Sequence, residues 1–562
     1  MSKNLSYLAG RKGVDKTLFE ELGIAAETGT PSIEKMEALR KEFLVGKANV
    51  FGTATFYDFL KPENQGKKVY ICNGSACLCA GTQPALKEKL QNHFKEEEIG
   101  EMCCLGRCHE NSAFHISGKN YSGSAIDQLG EIKKNKTVIT DRYHIASTGT
   151  PILTQKFPGI QAYYKTLKDC LAKPIDTLQE ELKKSGLRGR GGAGFPIAIK
   201  LESCRNTPAE QRFIVCNADE GDPGAYSDRY LLEHQPHAVL MGMIIAGYLA
   251  DASIGVLYIR AEYPESIDVI EKAIQELYKH NFVGENIFDS GFSFNFKVIK
   301  AQGAYICGEE TALLSSIEGQ RPEVRVRPPY PAQQGLFNLP TVVNNVETLA
   351  NLPWIMQNGG EAFASIGLGK STGTKLISLD GYFNKPGIYE VDMGTPLSVV
   401  LNELGGGFRK PVKAMHIGGP LGGLVPVSKT SDLTIDFESF AKNGFLLGHA
   451  SIVCIPEDFP ILLYIEHLFE FTAHESCGKC FPCRLGSTRG KEMLEKARTS
   501  EYKIDRALMD DLLETLEIGS LCMLGGGLPL PVKNALHYFE DELSAYFESN
   551  HKGHKENIHK GH

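Results

Sequence analysis

Phe213-Ile214-Val215-Cys216-Asn217-Ala218-Asp219-Glu220-Gly221-Asp222 is a short apolar run that gives way directly to amides and carboxylates. A run of this length, bounded by a polar turn, reads as a buried strand. Polar groups at the carboxyl end of such a strand lie where an open α/β sheet binds ligands, and they suit ribityl, ribose or ring-nitrogen recognition. On its own, Asn217 to Asp222 is equally compatible with an ordinary acidic turn.

Working outward, Gly255–Ile259 and Phe294–Ile299 are further strand-like runs. Helical periodicity over His237–Leu249, Glu265–Tyr278 and Glu309–Ile317 separates or follows them. This alternation predicts an α/β domain over residues 160–370. Upstream, residues 1–60 read as a helical segment, with apolar residues at helical spacing from Ile33 to Val45. Residues 61–135 give the order β-α-β-β-α: Val69–Ile71, Pro84–Phe94, Ala113–Ile116, Asn120–Ser122 and Ala125–Ile132. That order is a small α+β domain. Residues 136–159 read as a polar linker. Downstream, 371–440 is a glycine-rich module of short strands, 441–549 is helical, and 550–562 is a polar tail that repeats His-Lys-Gly-His and reads as a solvated end, with metal binding as the alternative.

The chain has 562 residues, enough for several domains, and its 60 Lys+Arg against 68 Asp+Glu leave a net charge of −8. This gives no overall basic footprint for nucleic acid or an anionic membrane. Hydrophobic residues at 42% and charged residues at 23% exclude wholesale disorder. The longest apolar stretch, Ala238–Ala250, falls short of the ~20 residues that span a bilayer, and no apolar segment follows the first residues as in a signal peptide. A reducing cytoplasm is expected.

There the 15 cysteines point to metal rather than to disulfides. Cys477, Cys480 and Cys483, at two-residue spacings, can wrap three corners of a cubane, with Cys522 closing the fourth. A zinc site would more usually pair two separated knuckles. Cys72 with Cys77, and Cys104 with Cys108, form two pairs, each able to hold one iron of a 2Fe-2S centre. A redox dithiol is the rival, but neither pair has the Cys-x-x-Cys spacing. Cys79 and Cys103 read as thiols packed beside the cluster, and Cys307 as a small core residue. Gly189-Arg190-Gly191-Gly192-Ala193-Gly194 satisfies G-x-G-x-x-G but follows a charged helical segment rather than a strand, so the usual dinucleotide context fails. Its backbone N–H groups can still approach a phosphate, with Arg188, Arg190 and Lys200 supplying charge, or it is simply a flexible loop.

Taken together these motifs resemble the NADH-oxidising flavoprotein of respiratory complex I and its relatives, the diaphorase subunits of NAD-reducing hydrogenases and formate dehydrogenases. The resemblance is carried by 189–196 (Gly-Arg-Gly-Gly-Ala-Gly-Phe-Pro), 217–220, 303–311, 344–348 and 475–484 (Glu-Ser-Cys-Gly-Lys-Cys-Phe-Pro-Cys-Arg). Residues 30–135, with Ala-Thr-Phe-Tyr (54–57) and Cys-Leu-Gly-Arg-Cys (104–108), resemble the 2Fe-2S thioredoxin-like subunit that accompanies it. A fusion of the two is implied. The implied fold is multidomain α/β: a thioredoxin-like 2Fe-2S domain, a Rossmann-like FMN/NAD domain, a β-grasp-like module and a C-terminal helical bundle with a 4Fe-4S cluster.

The resemblance implies that FMN lies against Gly189, Arg190 and Gly191, with Lys200, Asn217, Asp219, Glu220, Gly308, Glu309, Asn344, Asn345 and Thr348 around it. NAD(H) would stack near Gly192, Phe195, Tyr305 and Glu310, with Asp222, Arg327 and Tyr330 nearby. Glu220 and Glu310 are the candidates for positioning flavin and nicotinamide. Cys72, Cys77, Cys104 and Cys108 would hold the 2Fe-2S cluster, and Cys477, Cys480, Cys483 and Cys522 the 4Fe-4S cluster. Asp222, Arg327 and Tyr330 depart from the Glu, Lys and Phe usual in complex I, and the first two resemble the hydrogenase-linked relatives. The implied activity is hydride exchange between NAD(H) and FMN, then single-electron transfer to an iron–sulfur partner of a soluble hydrogenase or formate dehydrogenase. Input to membrane-bound complex I and an electron-bifurcating NADH/ferredoxin complex are the alternatives. No ferredoxin-like cysteine run follows Cys522, unlike the larger bifurcating relatives.

Overall fold

Three larger sheets and a helical bundle organise the computed structural model, which describes residues 13–26, 30–134 and 142–548. The expected polar tail, 550–562, lies outside the described residues.

The first sheet has the order β2-β1-β3-β4, formed by β1 (Val69–Cys72), β2 (Ile99–Met102), β3 (Phe114–Ile116) and β4 (Lys119–Tyr121). β1 runs parallel to β2 and antiparallel to β3. Strand β2 corrects the β-α-β-β-α reading. Gly100 and the exposed Glu101 dilute its apolar signal, and pairing with β1 makes it a strand. The helices Leu18–Ala25, Ile33–Phe43 and Lys47–Ala54 precede this sheet and help pack Phe19, Leu22 and Tyr57 against Tyr258 and Leu313 of the central domain.

Segment 136–159 is not simply a linker. His144–Thr148 forms β5, which pairs in parallel with the strand Gly387–Asp392. Its side chains are mostly exposed, so hydropathy gives no strand signal; the backbone pairing alone makes it one.

The central domain is built on a parallel sheet, β8-β7-β6-β9, of β6 (Phe213–Ala218), β7 (Ile254–Ile259), β8 (Asn295–Lys300) and β9 (Thr341–Asn345). The chain leaves β6 for β7 on one side, and β9 later joins on the other. The crevice between the ends of β6 and β9 is therefore a topological switch point, where α/β sheets bind ligands. The apolar helix Pro236–Ala250 is buried almost all round beneath this sheet, which explains its composition. No helix among the described residues is long and apolar enough to cross a membrane.

A two-stranded ribbon, β10 (Gly367–Leu368) and β11 (Ser371–Thr372), leads into the third sheet. That sheet is mixed, with β12 (Thr374–Leu379), β13 (Gly387–Asp392), β14 (Val412–Ile417), β15 (Gly423–Pro426) and β16 (Ser451–Pro456), in the order β15-β14-β16-β12-β13-β5. β16 sits centrally, so the module extends past the expected boundary at residue 440. The remaining helices, chiefly Ile461–Glu475, Ser487–Thr499, Arg506–Gly519 and Pro529–Tyr538, share a core including Leu468, Phe469, Leu494, Leu513 and Val532. Gly490 lets two of them approach closely, since a Cβ there would stand 2.1 Å from the Phe469 ring.

Candidate functional site

Asn217 and Asn345 end adjacent strands in register. Asn217 Nδ2 donates to the Gly308 carbonyl at 2.8 Å, tying β6 to the turn before the helix Glu310–Ile317. Asn345 caps the helix Val346–Ala350, its Oδ1 accepting from Glu347 N at 2.9 Å, while its Nδ2 donates to Asp228 Oδ2 at 2.6 Å.

The glycine loop lies against this edge. Gly189 N donates to Phe195 O at 2.9 Å and Arg190 N to Thr348 Oγ1 at 2.8 Å. A Cβ on Gly191 would stand 3.0 Å from Asn345, and Gly192 has φ +114°, a conformation that favours glycine. The close approach to the strand end accounts for Gly191, and the positive φ for Gly192.

Charged groups surround the crevice. Glu310 accepts from Lys200 Nζ at 3.1 Å and from Arg327 Nη1 at 3.0 Å. Glu309 accepts from Thr311 N and Ala312 N, both at 2.9 Å, and caps its helix. Tyr305 donates its hydroxyl to Asp222 Oδ1 at 2.7 Å. Phe195 and Tyr330 remain about half exposed, at 48% and 56%, with ring surface open to a planar ligand. Arg190 is fully buried, its Nη2 donating to Thr372 O at 2.5 Å, and burial pulls it down to about 10. Burial also raises Asp219 well above the usual carboxylate range.

Glu220 is held by several protein groups. Its carboxylate accepts from Asp228 N at 2.9 Å, Arg229 N at 3.1 Å, Ser227 Oγ at 3.3 Å and Tyr263 OH at 3.1 Å. It thereby fixes the start of the helix Ser227–His234 against the turn after β6. Burial, reinforced by Asp228, raises it to about 7.

Both cysteine quartets assemble. The Cys72 thiol interacts with those of Cys77, Cys104 and Cys108, and Cys104 Sγ lies 3.4 Å from Cys108 Sγ. Gly224 N donates to Cys108 Sγ at 3.2 Å, so the turn after β6 also supports this quartet. Cys483 interacts with Cys477 and Cys480, and Cys522 with Cys477 and Cys483. Burial pushes Cys483 up to about 11 and Cys522 to about 12, so metal loading must displace thiol protons. Cys307 is buried in an apolar cluster as expected, and Cys103 lies beside the first quartet, interacting with Cys72 and Cys104, whereas Cys79, expected there too, is buried in the apolar core of the C-terminal helices.

The residues fit the implied groups. An all-sulfur donor set suits iron–sulfur clusters. Asn344 Nδ2 and Asp219 Oδ2 are buried at the crevice edge without a hydrogen-bond partner among the described residues, as expected where a polar ligand supplies one. Asp228 and His449 belong to no local motif, so nothing in the sequence marks either. Glu475, which accepts from Tyr305 N at 2.8 Å, stands in plain view just before Cys477.

Family models match three stretches: thioredoxin-like [2Fe-2S] ferredoxin over residues 23–136, the Nuo51 FMN-binding domain over 182–354, and the NADH-ubiquinone oxidoreductase-F iron–sulfur binding region over 464–546. The NADP-reducing hydrogenase subunit HndC of Solidesulfovibrio fructosivorans is 42% identical over 393 residues, 69% of this chain and 79% of that protein. The NAD-reducing hydrogenase HoxS subunit alpha of Cupriavidus necator is 33% identical over 526 residues, 87% of this chain and 85% of that protein. The chain belongs to the complex I flavoprotein family. A solved member, from an NAD+-reducing [NiFe]-hydrogenase in the air-oxidised state, superposes with a TM-score of 0.82 at 28% identity, covering 94% of this chain and 93% of that one. As a complex I-type flavoprotein fused to its 2Fe-2S partner, the chain is an NADH:acceptor oxidoreductase using FMN, one 2Fe-2S and one 4Fe-4S cluster.

Proposed function

We propose that this chain is the NAD(H)-facing diaphorase subunit of a hydrogenase or formate dehydrogenase in the cytoplasm, exchanging electrons with a separate iron–sulfur subunit. FMN and the clusters, when bound, supply the conversion between two-electron hydride chemistry and single-electron transfer. The residues proposed to hold the flavin are Gly189, Arg190, Gly191, Lys200, Asn217, Asp219, Gly308, Glu309, Asn344, Asn345 and Thr348. Gly192, Phe195, Asp222, Tyr305, Glu310, Arg327 and Tyr330 would orient the dinucleotide. Lys200 and Arg327 hold the Glu310 carboxylate at a fixed place in the cleft. Cys72, Cys77, Cys104 and Cys108 are the proposed 2Fe-2S ligands, and Cys477, Cys480, Cys483 and Cys522 the 4Fe-4S ligands.

The observation that carries the reading is the position of the second quartet. On one side Cys522 interacts with Glu309 of the cleft, and Glu475, two residues before Cys477, holds Tyr305. On the other, Phe481, Leu485, Ile518, Leu521 and Met523 are all exposed around Cys480 and Cys522. A concentration of exposed apolar side chains of this kind marks a protein interface. Hydrogenase subunits are favoured because the two compared proteins spanning most of the chain, N-terminal part included, come from NAD-reducing hydrogenases. The test is Leu485→Glu/Met523→Glu: the protein should keep its FMN and iron but lose reduction of the co-purifying iron–sulfur subunit by NADH. Undiminished partner reduction would refute this exit face.

A further inference from the structure

His449 lies in the turn between the helix Phe437–Lys442 and β16, remote in sequence from every motif of the cleft. The turn is fixed by backbone crowding: a Cβ on Gly448 would meet the Gly418 carbonyl at 2.3 Å, and one on Gly418 the Leu447 carbonyl at 2.4 Å. It also abuts the glycine loop, since a Cβ on Gly192 would lie 3.8 Å from the Gly448 Cα. Only 6% exposed, His449 places Nε2 3.5 Å from Asp228 Oδ2 and 3.7 Å from Glu220 Oε1, and neither ring nitrogen is hydrogen-bonded among the described residues. Asp228 Oδ1 is likewise unpartnered, while Oδ2 accepts from Asn345, the residue against which Gly191 packs.

Two carboxylates in one buried site cannot both stay ionised without a nearby cation. Lys375 also faces the cluster but is bonded to the buried Glu347 carboxylate. We propose that His449 is a positioning residue: as a buried cation it balances Glu220 and Asp228, keeping Asp228 able to hold Asn345, and through it the glycine loop, in the flavin-binding arrangement. This rests on the assignment of the crevice to FMN.

The groups facing His449 are Glu220 and Asp228, Asp222 from the turn after β6, and Lys375 from β12. Burial disfavours the imidazolium, but Asp228 and Glu220 outweigh it and hold His449 up to about 9. An unfolded histidine titrates near ~6.5. The contribution is therefore full below that value and is lost as pH rises through about 9.

The experiment compares the full chain with H449Q, H449K and D228N/H449Q, measuring FMN affinity by fluorescence quenching on deflavinated protein from pH 6 to 10. Iron content and thermal unfolding verify the fold of each. Wild-type affinity should fall as pH passes about 9. H449Q should bind FMN about tenfold more weakly at pH 7, the scale of a lost charge-assisted contact, and should lose the alkaline step. H449K should recover most of the affinity. D228N/H449Q should recover it too, because the uncompensated charge is gone while the carbonyl oxygen of the introduced amide can still accept from Asn345. A folded, iron-loaded H449Q with wild-type FMN affinity and pH profile overturns the proposal. Wild-type protein that binds no FMN at any pH overturns the flavin assignment itself, and the proposal with it.

Discussion

Arg327 carries two opposed readings at the scale of a single residue. In the sequence its planar fork suggests a grip on a 2′-phosphate. In the fold its guanidinium is already committed, 3.0 Å from Glu310 and 3.6 Å from Glu309. NADH should therefore be preferred over NADPH, and comparing kcat/KM for the two nucleotides tests it; equal values would refute it. Glu310→Gln should release part of that fork and raise the NADPH-to-NADH ratio of kcat/KM by about tenfold, or ~1.4 kcal/mol. The buried Lys375–Glu347 pair joins β12 to the helix that follows β9. Lys375→Met leaves the Glu347 carboxylate buried and unpaired, and should cost about 3–5 kcal/mol in denaturant unfolding. Adding Glu347→Gln should return much of that loss.

Among the elements, β5 is the hardest to anticipate. Its mostly exposed side chains show no alternation of buried and open faces. Just beyond it, Glu390 of β13 accepts from the backbone N–H groups of Ile152, Leu153 and Thr154 at 2.9–3.0 Å. These bonds anchor the segment that joins the 2Fe-2S domain to the rest. Hydrogen exchange should accordingly find protected the amides of 144, 146 and 148, which face β13, and those of 152–154. In Glu390→Ala the 152–154 amides should exchange at least ~10-fold faster, each lost bond to a charged group being worth about 1.5 kcal/mol or more. Unchanged exchange would show that strand pairing alone suffices. By contrast, β6 and the helix Pro236–Ala250 are legible beforehand, because residues buried on every side must be apolar throughout.

At the scale of the molecule, the two cysteine quartets meet the crevice through different neighbours. The N-terminal cysteine quartet leans on Gly224, in the turn after β6, and on Tyr263, whose ring lies 2.5 Å from where a Gly106 Cβ would stand. The C-terminal cysteine quartet sits between Glu309 and the exposed apolar face. They should not be equivalent in function. Cys480→Ala should abolish electron delivery to the partner, whereas Cys77→Ser should lose the 2Fe-2S EPR signal yet leave substantial delivery. FMN content and the remaining cluster's EPR signal must be intact in each variant, since ligand loss can unfold a domain. Equal loss in both would put the N-terminal domain on the main path.

The chemistry of this protein is written along its chain. Cysteine spacing, glycines at a close backbone approach and an apolar strand ending in amides are local requirements, so they are met by local sequence. The domain order is legible for the same reason, because each core imposes its own periodicity. What depends on partners distant in the chain emerges only on folding. Glu220 becomes a helix cap through Asp228 and Arg229, β5 becomes a strand through β13, and His449 comes to face two carboxylates more than 200 residues away. Burial and charge compensation are properties of the assembled crevice, and no window of sequence contains them.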